Sequence, residues 1–101
     1  MGSRLELHSK FVELLGSTNV YYDPPSDLNM QYPAIRYSKS GIKSDHADNI
    51  AYSSAKRYEV IVIDRRSDNP VIDELLKLKY SSFDRHYKMN NLNHDVLTIY
   101  Y

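Results

Sequence analysis

The sequence contains no cysteine, and only three of its residues are glycine. The absence of cysteine excludes disulfides, zinc fingers and thiol catalysis, and it is compatible with synthesis in the cytosol. No Gly-rich phosphate loop is present, and no apolar run approaches the ~20 residues that a transmembrane helix requires. The first residues lack the apolar core of a signal peptide, and Glu6 stands where a myristoylation motif needs Ser or Thr. We therefore expect no membrane association.

The chain also has no charge of a dominant sign. Thirteen Lys and Arg residues match thirteen Asp and Glu residues, so the formal net charge is zero. Nucleic-acid-binding proteins usually show a basic surplus or a Lys/Arg stripe, and neither is present. The basic pairs at 56–57 and 65–66 are typical of solvated strand ends. With 101 residues, 42% of them hydrophobic, the chain predicts one globular domain over residues 1–101.

Two segments have the pattern of amphipathic helices. Residues 3–15 begin with a capping box formed by Ser3 and Glu6 and end before Gly16, which supplies a left-handed stop. Their apolar residues recur at spacings of three and four. A second helix of about three turns is predicted from Asp68-Asn69-Pro70 onward, because Asn favours the N-cap and Pro the first helical position.

Strand patterns fall between and after the helices, at residues 19–22, 31–39, 56–64, 82–89 and in the final run to Tyr101. The segment 56–64 is apolar on both faces at its centre, which predicts a strand covered on both sides. In 82–89, strict alternation places the side chains of Phe83, Arg85, Tyr87 and Met89 together. Asn90-Asn91 then predicts a hairpin turn.

The predicted order α-β-β-β-α-β-β indicates an α+β fold, with a mainly antiparallel sheet and two helices packed on one face. The second face of the 56–64 strand then needs cover, either from the loop at residues 40–55 or from a neighbouring subunit. Asp45, His46 and Asp48 lie in that loop, but a hard metal ion needs further oxygen ligands that nothing specifies. We expect a solvated loop, with no metal and no cofactor.

The segment NLNHDVLTIYY at residues 91–101 raises the question of an active site. In a strand, His94 and Asp95 face opposite sides, so they do not form a dyad with each other. His86 and His94 flank the predicted hairpin, and a small hydrolase using both with a nearby carboxylate is the weakest alternative. No nucleophile elbow or spaced carboxylate motif accompanies them, so we expect no catalytic residue and no enzymatic activity.

Ten tyrosines stand against two phenylalanines. Tyrosine buries a large ring while its hydroxyl stays in water, which suits sheet rims and interfaces. Cover for the rims of a small sheet explains most of them, but the terminal pair of tyrosines predicts a docked C-terminal segment. The candidate subunit or partner interface comprises Tyr22, Tyr52, Tyr58, Tyr100 and Tyr101.

Five segments in order carry a resemblance to a protein family: LELHSKFVELLGSTNVYYDPP, MQYPAIRY, ADNIAY, KRYEVIVIDRRSD and LNHDVLTIYY. Together they span Leu5 to Tyr101 and are similar to the tail terminator (tail completion, or tail-to-head joining) proteins of long-tailed bacteriophages and prophages. The order of the segments carries the likeness, and the stretch around residues 40–45 has no match in the family pattern.

The resemblance implies a structural role in the virion. Family members are α+β proteins that form a hexameric ring at the head-proximal end of the tail tube and end its polymerisation. They present a surface to the head-completion complex, while DNA passes through the lumen without specific binding. The implied partners are copies of the chain itself, the tail tube protein and the head-completion (stopper) protein. Assembly in the host cytoplasm would place the chain at the head–tail junction. A stopper protein of the connector is the nearest alternative, and nucleic-acid binding is a third.

Overall fold

The computed structural model describes residues 4–25, 28–42, 56–78 and 80–101. They form two helices and five strands in the predicted order, so the fold is α+β. The elements are α1 (Arg4–Leu15), β1 (Val20–Tyr22), β2 (Ala34–Ile42), β3 (Lys56–Asp64), α2 (Val71–Leu76), β4 (Ser81–Met89) and β5 (Leu92–Tyr100).

The five strands form one sheet in the order β1-β2-β3-β5-β4. Three pairings are antiparallel, whereas β1 runs parallel to β2, with Val20 beside Ile35. The sheet is therefore mixed and not purely antiparallel. The sheet is mixed because β1 and β2 are parallel, and a parallel neighbour requires the chain to cross back before the next strand begins.

Strand β3 lies at the centre of this sheet and contributes to the core. Tyr58, Val60 and Val62 belong to one buried cluster that also contains residues of both helices and of the neighbouring strands. Because side chains alternate along a strand, these three residues lie on the same face, which we name the core face. Full burial of an aliphatic side chain stabilises a fold by roughly 1.5–3 kcal/mol, so this cluster is the main source of stability.

The opposite face of the sheet is buried in part. Ile63 is only 3% exposed, and Ala34 and Val96 are inaccessible to solvent, whereas Ile61 is half-buried. The prediction that β3 is covered on both sides is thus confirmed at Ile63 but only partly at Ile61. The loop predicted to supply this cover spans residues 40–55. Its first positions, residues 40–42, belong to β2. The remainder, which includes Tyr52 and the candidate metal ligands Asp45, His46 and Asp48, lies outside the described residues.

The predicted end of α1 and the predicted start of α2 have the expected hydrogen bonds and backbone angles. Gly16 adopts φ +73°, and its N–H donates to the carbonyl of Val12 at 2.9 Å, which ends α1 as predicted. At the start of α2, Asn69 Oδ1 accepts a hydrogen bond from the N–H of Val71 at 2.9 Å, while Pro70 has a helical φ of −66°. Ser3, half of the predicted capping box, lies outside the described residues.

Helix α2 is shorter than the three turns predicted. It ends at Leu76, where the amides of Lys77 and Leu78 bond to the carbonyls of Glu74 and Leu75, three residues back. Such bonds tighten the backbone and end the α-helical repeat. Part of the apolar pattern that predicted a longer helix therefore belongs to the turn that leads into β4.

A β-bulge in β4 overturns the alternation predicted for residues 82–89. Phe83 pairs with Leu97, but Arg85 pairs with the adjacent Val96, so Asp84 is an extra residue. Since Leu97 and Val96 face opposite sides, Phe83 lies on the core face, while Arg85 and Tyr87 lie on the opposite face. Periodicity alone cannot reveal a bulge, because each half of the strand still alternates correctly.

The β4–β5 hairpin generates a stability prediction. Asn90 and Asn91 have φ values of 54° and 62°, as a two-residue turn between twisted strands requires. We expect Asn91→Ala to lower the free energy of unfolding by about 1 kcal/mol, because a β-carbon is disfavoured in the left-handed region. Asn91→Gly should match or exceed the parent protein in urea unfolding. Equal stability of the two variants would contradict this turn geometry.

Candidate functional site

The predicted interface tyrosines are distributed over several parts of the fold. Tyr22 is 37% exposed on β1, which forms one edge of the sheet, while Tyr100 and Tyr101 are half-buried. The backbone of Tyr101 exchanges two hydrogen bonds with Lys56, so this segment is docked on its own domain. Tyr58 is 2% exposed in the core, and its ring is therefore used within the subunit. Tyr52 lies outside the described residues.

Sequence reasoning missed the residue at the centre of the aromatic cluster, Tyr37 on β2. Its ring centroid lies 5.0 Å from those of Phe11 and Tyr22 and 6.0 Å from that of Tyr58. These separations are typical of favourable aromatic pairs. The signal that was available is the alternation of Ile35 and Tyr37 in β2, which places both on the core face.

Two basic side chains of α1 meet the hydroxyl group of Tyr37. Arg4 donates to the hydroxyl oxygen at 3.2 Å, and Nδ1 of His8 lies 2.6 Å from the same oxygen. Since Arg4 can only donate, the single hydroxyl proton is directed to His8, whose Nδ1 then accepts as a neutral imidazole. Burial, and secondarily the charge of Arg4, lowers the pKa of His8, while burial raises the pKa of Tyr37.

This arrangement connects the buried aromatic cluster to the exposed edge of the sheet. The guanidinium carbon of Arg4 lies 4.3 Å from the ring centroid of Tyr22, within the range of a cation–π contact. Arg4 thus contacts both the exposed Tyr22 and the buried Tyr37. Arg4, in the first turn of α1, therefore contacts the edge strand β1 through Tyr22.

A second group of polar side chains is buried near the start of α2. Asp64 accepts hydrogen bonds from Asn69 at 2.8 Å and from the backbone and side chain of Arg66. Asn93 donates to the carbonyl of Arg65 at 3.0 Å. Within the described ranges, every buried side-chain nitrogen or oxygen has a hydrogen-bond partner. This group therefore ties the loop after β3 to α2 and β5.

The two histidines of the hairpin do not converge on one site. His86 lies opposite Asp95 in the β4–β5 register, with Nδ1 and Oδ1 2.6 Å apart. His94 lies opposite Tyr87, and their rings stack at 4.7 Å. Asp95 and His94 are adjacent on one strand and thus face opposite sides, as predicted. His86 and His94 therefore lie on different faces of the sheet, each beside its own cross-strand partner.

Across residues 4–25, 28–42, 56–78 and 80–101, no three His, Asp or Glu side chains are grouped so that they could hold a metal ion. Among the helices described, none has the length and apolar character to cross a membrane.

Exposed apolar side chains lie at both edges of the sheet. At one edge, Tyr22 of β1 is exposed, and we name this edge the β1 edge. At the other, Phe83 of β4 is 46% exposed and the exposed Tyr80 directly precedes that strand; we name this the β4 edge. Leu5 and Leu76 are exposed on α1 and α2. The two surfaces are separated by four strand spacings, about 19 Å. They are the candidate functional surfaces of the chain.

Comparison of the chain with models of known protein families, with curated proteins and with solved structures gave no match.

The His8–Tyr37 contact predicts how stability depends on pH. The pKa of His8 is lowered in the fold from its ordinary value of 6.5, so the unfolded chain binds a proton more readily. The free energy of unfolding should therefore decrease as the pH falls below 6.5 towards the lowered pKa. Urea unfolding between neutral pH and about pH 5 measures this slope, a range chosen to avoid carboxylate titration.

The variant His8→Gln should reduce that slope, because no imidazole remains to be protonated. His94→Gln is the matched control, since it removes a histidine without touching the Tyr37 hydroxyl. A slope that is unchanged in His8→Gln would show that the His8–Tyr37 contact is not the cause.

The buried group around Asp64 predicts a second stability effect. Asn69→Ala removes both the cap of α2 and a hydrogen bond to the Asp64 carboxylate, so we expect a loss of about 1–2 kcal/mol. The exposed neighbour gives the control: Asp68→Ala should change the free energy of unfolding by less than about 0.5 kcal/mol. Similar losses in both variants would mean that the cap is not specific to Asn69.

Proposed function

We propose that this chain is a structural protein of a bacteriophage tail. It acts as a tail terminator, a ring of identical subunits at the head-proximal end of the tail tube. The ring ends polymerisation of the tube protein below it and provides the attachment surface for the head-completion protein above it. The ordered sequence segments from Leu5 to Tyr101 are the origin of this proposal.

The single observation in the fold that carries the proposal is the pair of apolar edges. The exposed Tyr22 lies on one edge strand of the sheet, and the exposed Phe83 lies on the other. A subunit of a closed ring needs two different surfaces, one for each neighbour. Two such edges on opposite sides of one sheet support a head-to-tail contact between copies.

The proposal includes a particular arrangement of the fold, in which both helices cover the same face of the sheet, as in a tail terminator. It is supported by the composition of the core: Leu7 and Phe11 of α1, and Val71 and Leu75 of α2, share one buried cluster with Val60 of the core face.

The proposal assigns DNA a passive part. A protein that holds DNA tightly releases counterions through many Lys and Arg contacts with phosphates. A chain with thirteen basic and thirteen acidic residues suits a ring through which DNA passes without specific binding. We assign no reaction to the histidines, because His86 contacts Asp95 and His94 stacks on Tyr87.

The test is the morphology of phage particles that lack this chain. We expect overlong tails and heads without attached tails, because nothing ends the polymerisation of the tube or joins it to the head. Electron microscopy of lysates, with tail lengths measured on many particles, gives the readout. Complementation by the parent chain supplied in trans is the control. Tails of normal length and with normal attachment to heads would reject the proposal.

The same lysates separate the terminator from a stopper protein. A terminator purifies with free tails, whereas a stopper purifies with DNA-filled heads before tails are attached. Recovery of the chain with heads alone would therefore replace the terminator by the stopper. Salt-sensitive binding of duplex DNA to the purified chain would instead favour a role in nucleic-acid binding.

A further inference from the structure

We propose that the start of α1, residues 4–6, is a pH-sensitive element that opens locally when His8 takes up a proton. In mild acid these three residues detach from the sheet more often, and the ring of Tyr22 then loses the Arg4 guanidinium that covers it. The rest of α1 stays packed on the core. This inference concerns the chain by itself and goes beyond the proposed role in the tail.

The hydrogen bonds at the Tyr37 hydroxyl are complete only while His8 is neutral. Arg4 donates to the hydroxyl oxygen at 3.2 Å, and Nδ1 of His8, 2.6 Å from that oxygen, accepts its proton. A protonated imidazole has two donors and no acceptor. Because Tyr37 is only 1% exposed, its hydroxyl proton then has neither this acceptor nor free access to water. An unpaired buried donor destabilises the arrangement that buries it.

Protonation also places two positive charges against one oxygen atom. Arg4 lies four positions before His8, so the two side chains share one face of the helix. Burial, and after it the charge of Arg4, lowers the pKa of His8, as expected for two cations in contact with the same hydroxyl. Glu6 and Lys10 stand two positions to either side of His8 and do not face it on a helix.

The neighbouring elements supply groups that do not offset the second charge. Tyr22 on β1 and Tyr58 on β3 lie next to Tyr37, with ring centroids 5.0 and 6.0 Å from its own. A tyrosine hydroxyl carries no charge in mildly acidic solution. On α2, which shares the core cluster with α1, Asp73 and Glu74 are exposed, so water and salt screen their charges. The repulsion between the two cations is therefore relieved when one of them moves away.

Residues 4–6 are the part of α1 that moves most easily. The buried residues of this helix are Leu7 and Phe11, whereas Leu5 is 66% exposed. Arg4 is a cation in the first turn, where the positive end of the helix dipole disfavours it, and its contacts with two tyrosines compensate for this. A helix end with few buried contacts opens without unfolding the remainder of the protein.

Amide hydrogen exchange at residues 8–10 tests the proposal, because these amides donate to the carbonyls of residues 4–6 in an α-helix. The full chain is measured by NMR at about pH 7.5 and about pH 5.5, above the carboxylate range, with rates corrected for the intrinsic effect of pH. Opening restores to His8 its ordinary pKa of 6.5, so we expect protection at these amides to fall by up to about tenfold at the lower pH.

Low concentrations of urea distinguish local opening from unfolding of the whole domain. An opening that exposes little surface depends weakly on urea, whereas global unfolding depends on it steeply. Exchange at residues 8–10 should therefore change little with added urea, while exchange at Val60 and Val62 in the core should accelerate.

The variant His8→Gln removes the imidazole, and protection at residues 8–10 should then no longer depend on pH. His94→Gln is the matched control and should keep the response of the parent chain, because His94 contacts Tyr87 and the carbonyl of Leu92. The urea midpoint of each variant checks its folding. If His8→Gln does not fold, the parent chain alone decides through its dependence on pH and urea.

Three results would overturn the proposal. Equal protection at both pH values would show that a protonated His8 turns towards water while residues 4–6 stay in place. The same urea dependence at residues 8–10 as at Val60 would show that these residues open only with the whole fold. A response that persists in His8→Gln would assign it to another group. None of these results bears on tail length, so the proposed function is tested separately.

Discussion

The structure depends on the burial of one face of a small mixed sheet whose central strand is β3. Val60 and Val62 are almost completely shielded from solvent, and both helices contribute side chains to the same cluster. Burial of this kind is non-directional, so it fixes which residues are inside without defining every neighbour. Specific geometry is added by polar contacts at the ends of the cluster. At one end Arg4 and His8 meet Tyr37, and at the other Asn69 joins the loop after β3 to α2.

The edge strands of the sheet are only partly buried. The sheet is too wide for the core cluster to bury its outermost strands completely, and β4 in particular is exposed along most of its length. A bulge and several charges limit its pairing with other strands, while Phe83 remains partly exposed. At the other end, Arg4 holds the ring of Tyr22 against α1. The same sheet thus presents two unlike surfaces at fixed separation, which is the geometry that the proposed ring requires.

The hairpin illustrates how register controls chemistry. His94 and Asp95 are adjacent in the sequence, yet the hydrogen-bonded partner of Asp95 is His86 on the next strand. His94 instead stacks on Tyr87. Each histidine therefore has a partner on a different face, and the arrangement holds two strands together. His94 and Asp95, which are adjacent in the sequence like a catalytic dyad, thus form two separate cross-strand contacts in the folded chain.

The sequence by itself determined the order and type of the elements, because hydrophobic periodicity, Gly16 and the Asn69-Pro70 start are local signals that act within a few residues. It also determined that His94 and Asp95 face apart and that the hairpin turns at residues 90–91. Only the tertiary structure decided that β1 runs parallel to β2, that β4 contains a bulge, that α2 ends early and that Tyr37 stands at the centre of the aromatic cluster. It also decided which tyrosines are used inside the domain, burying Tyr58 while leaving Tyr22 at an edge. These features depend on contacts between residues far apart in the chain, and no local pattern encodes the register in which distant strands meet.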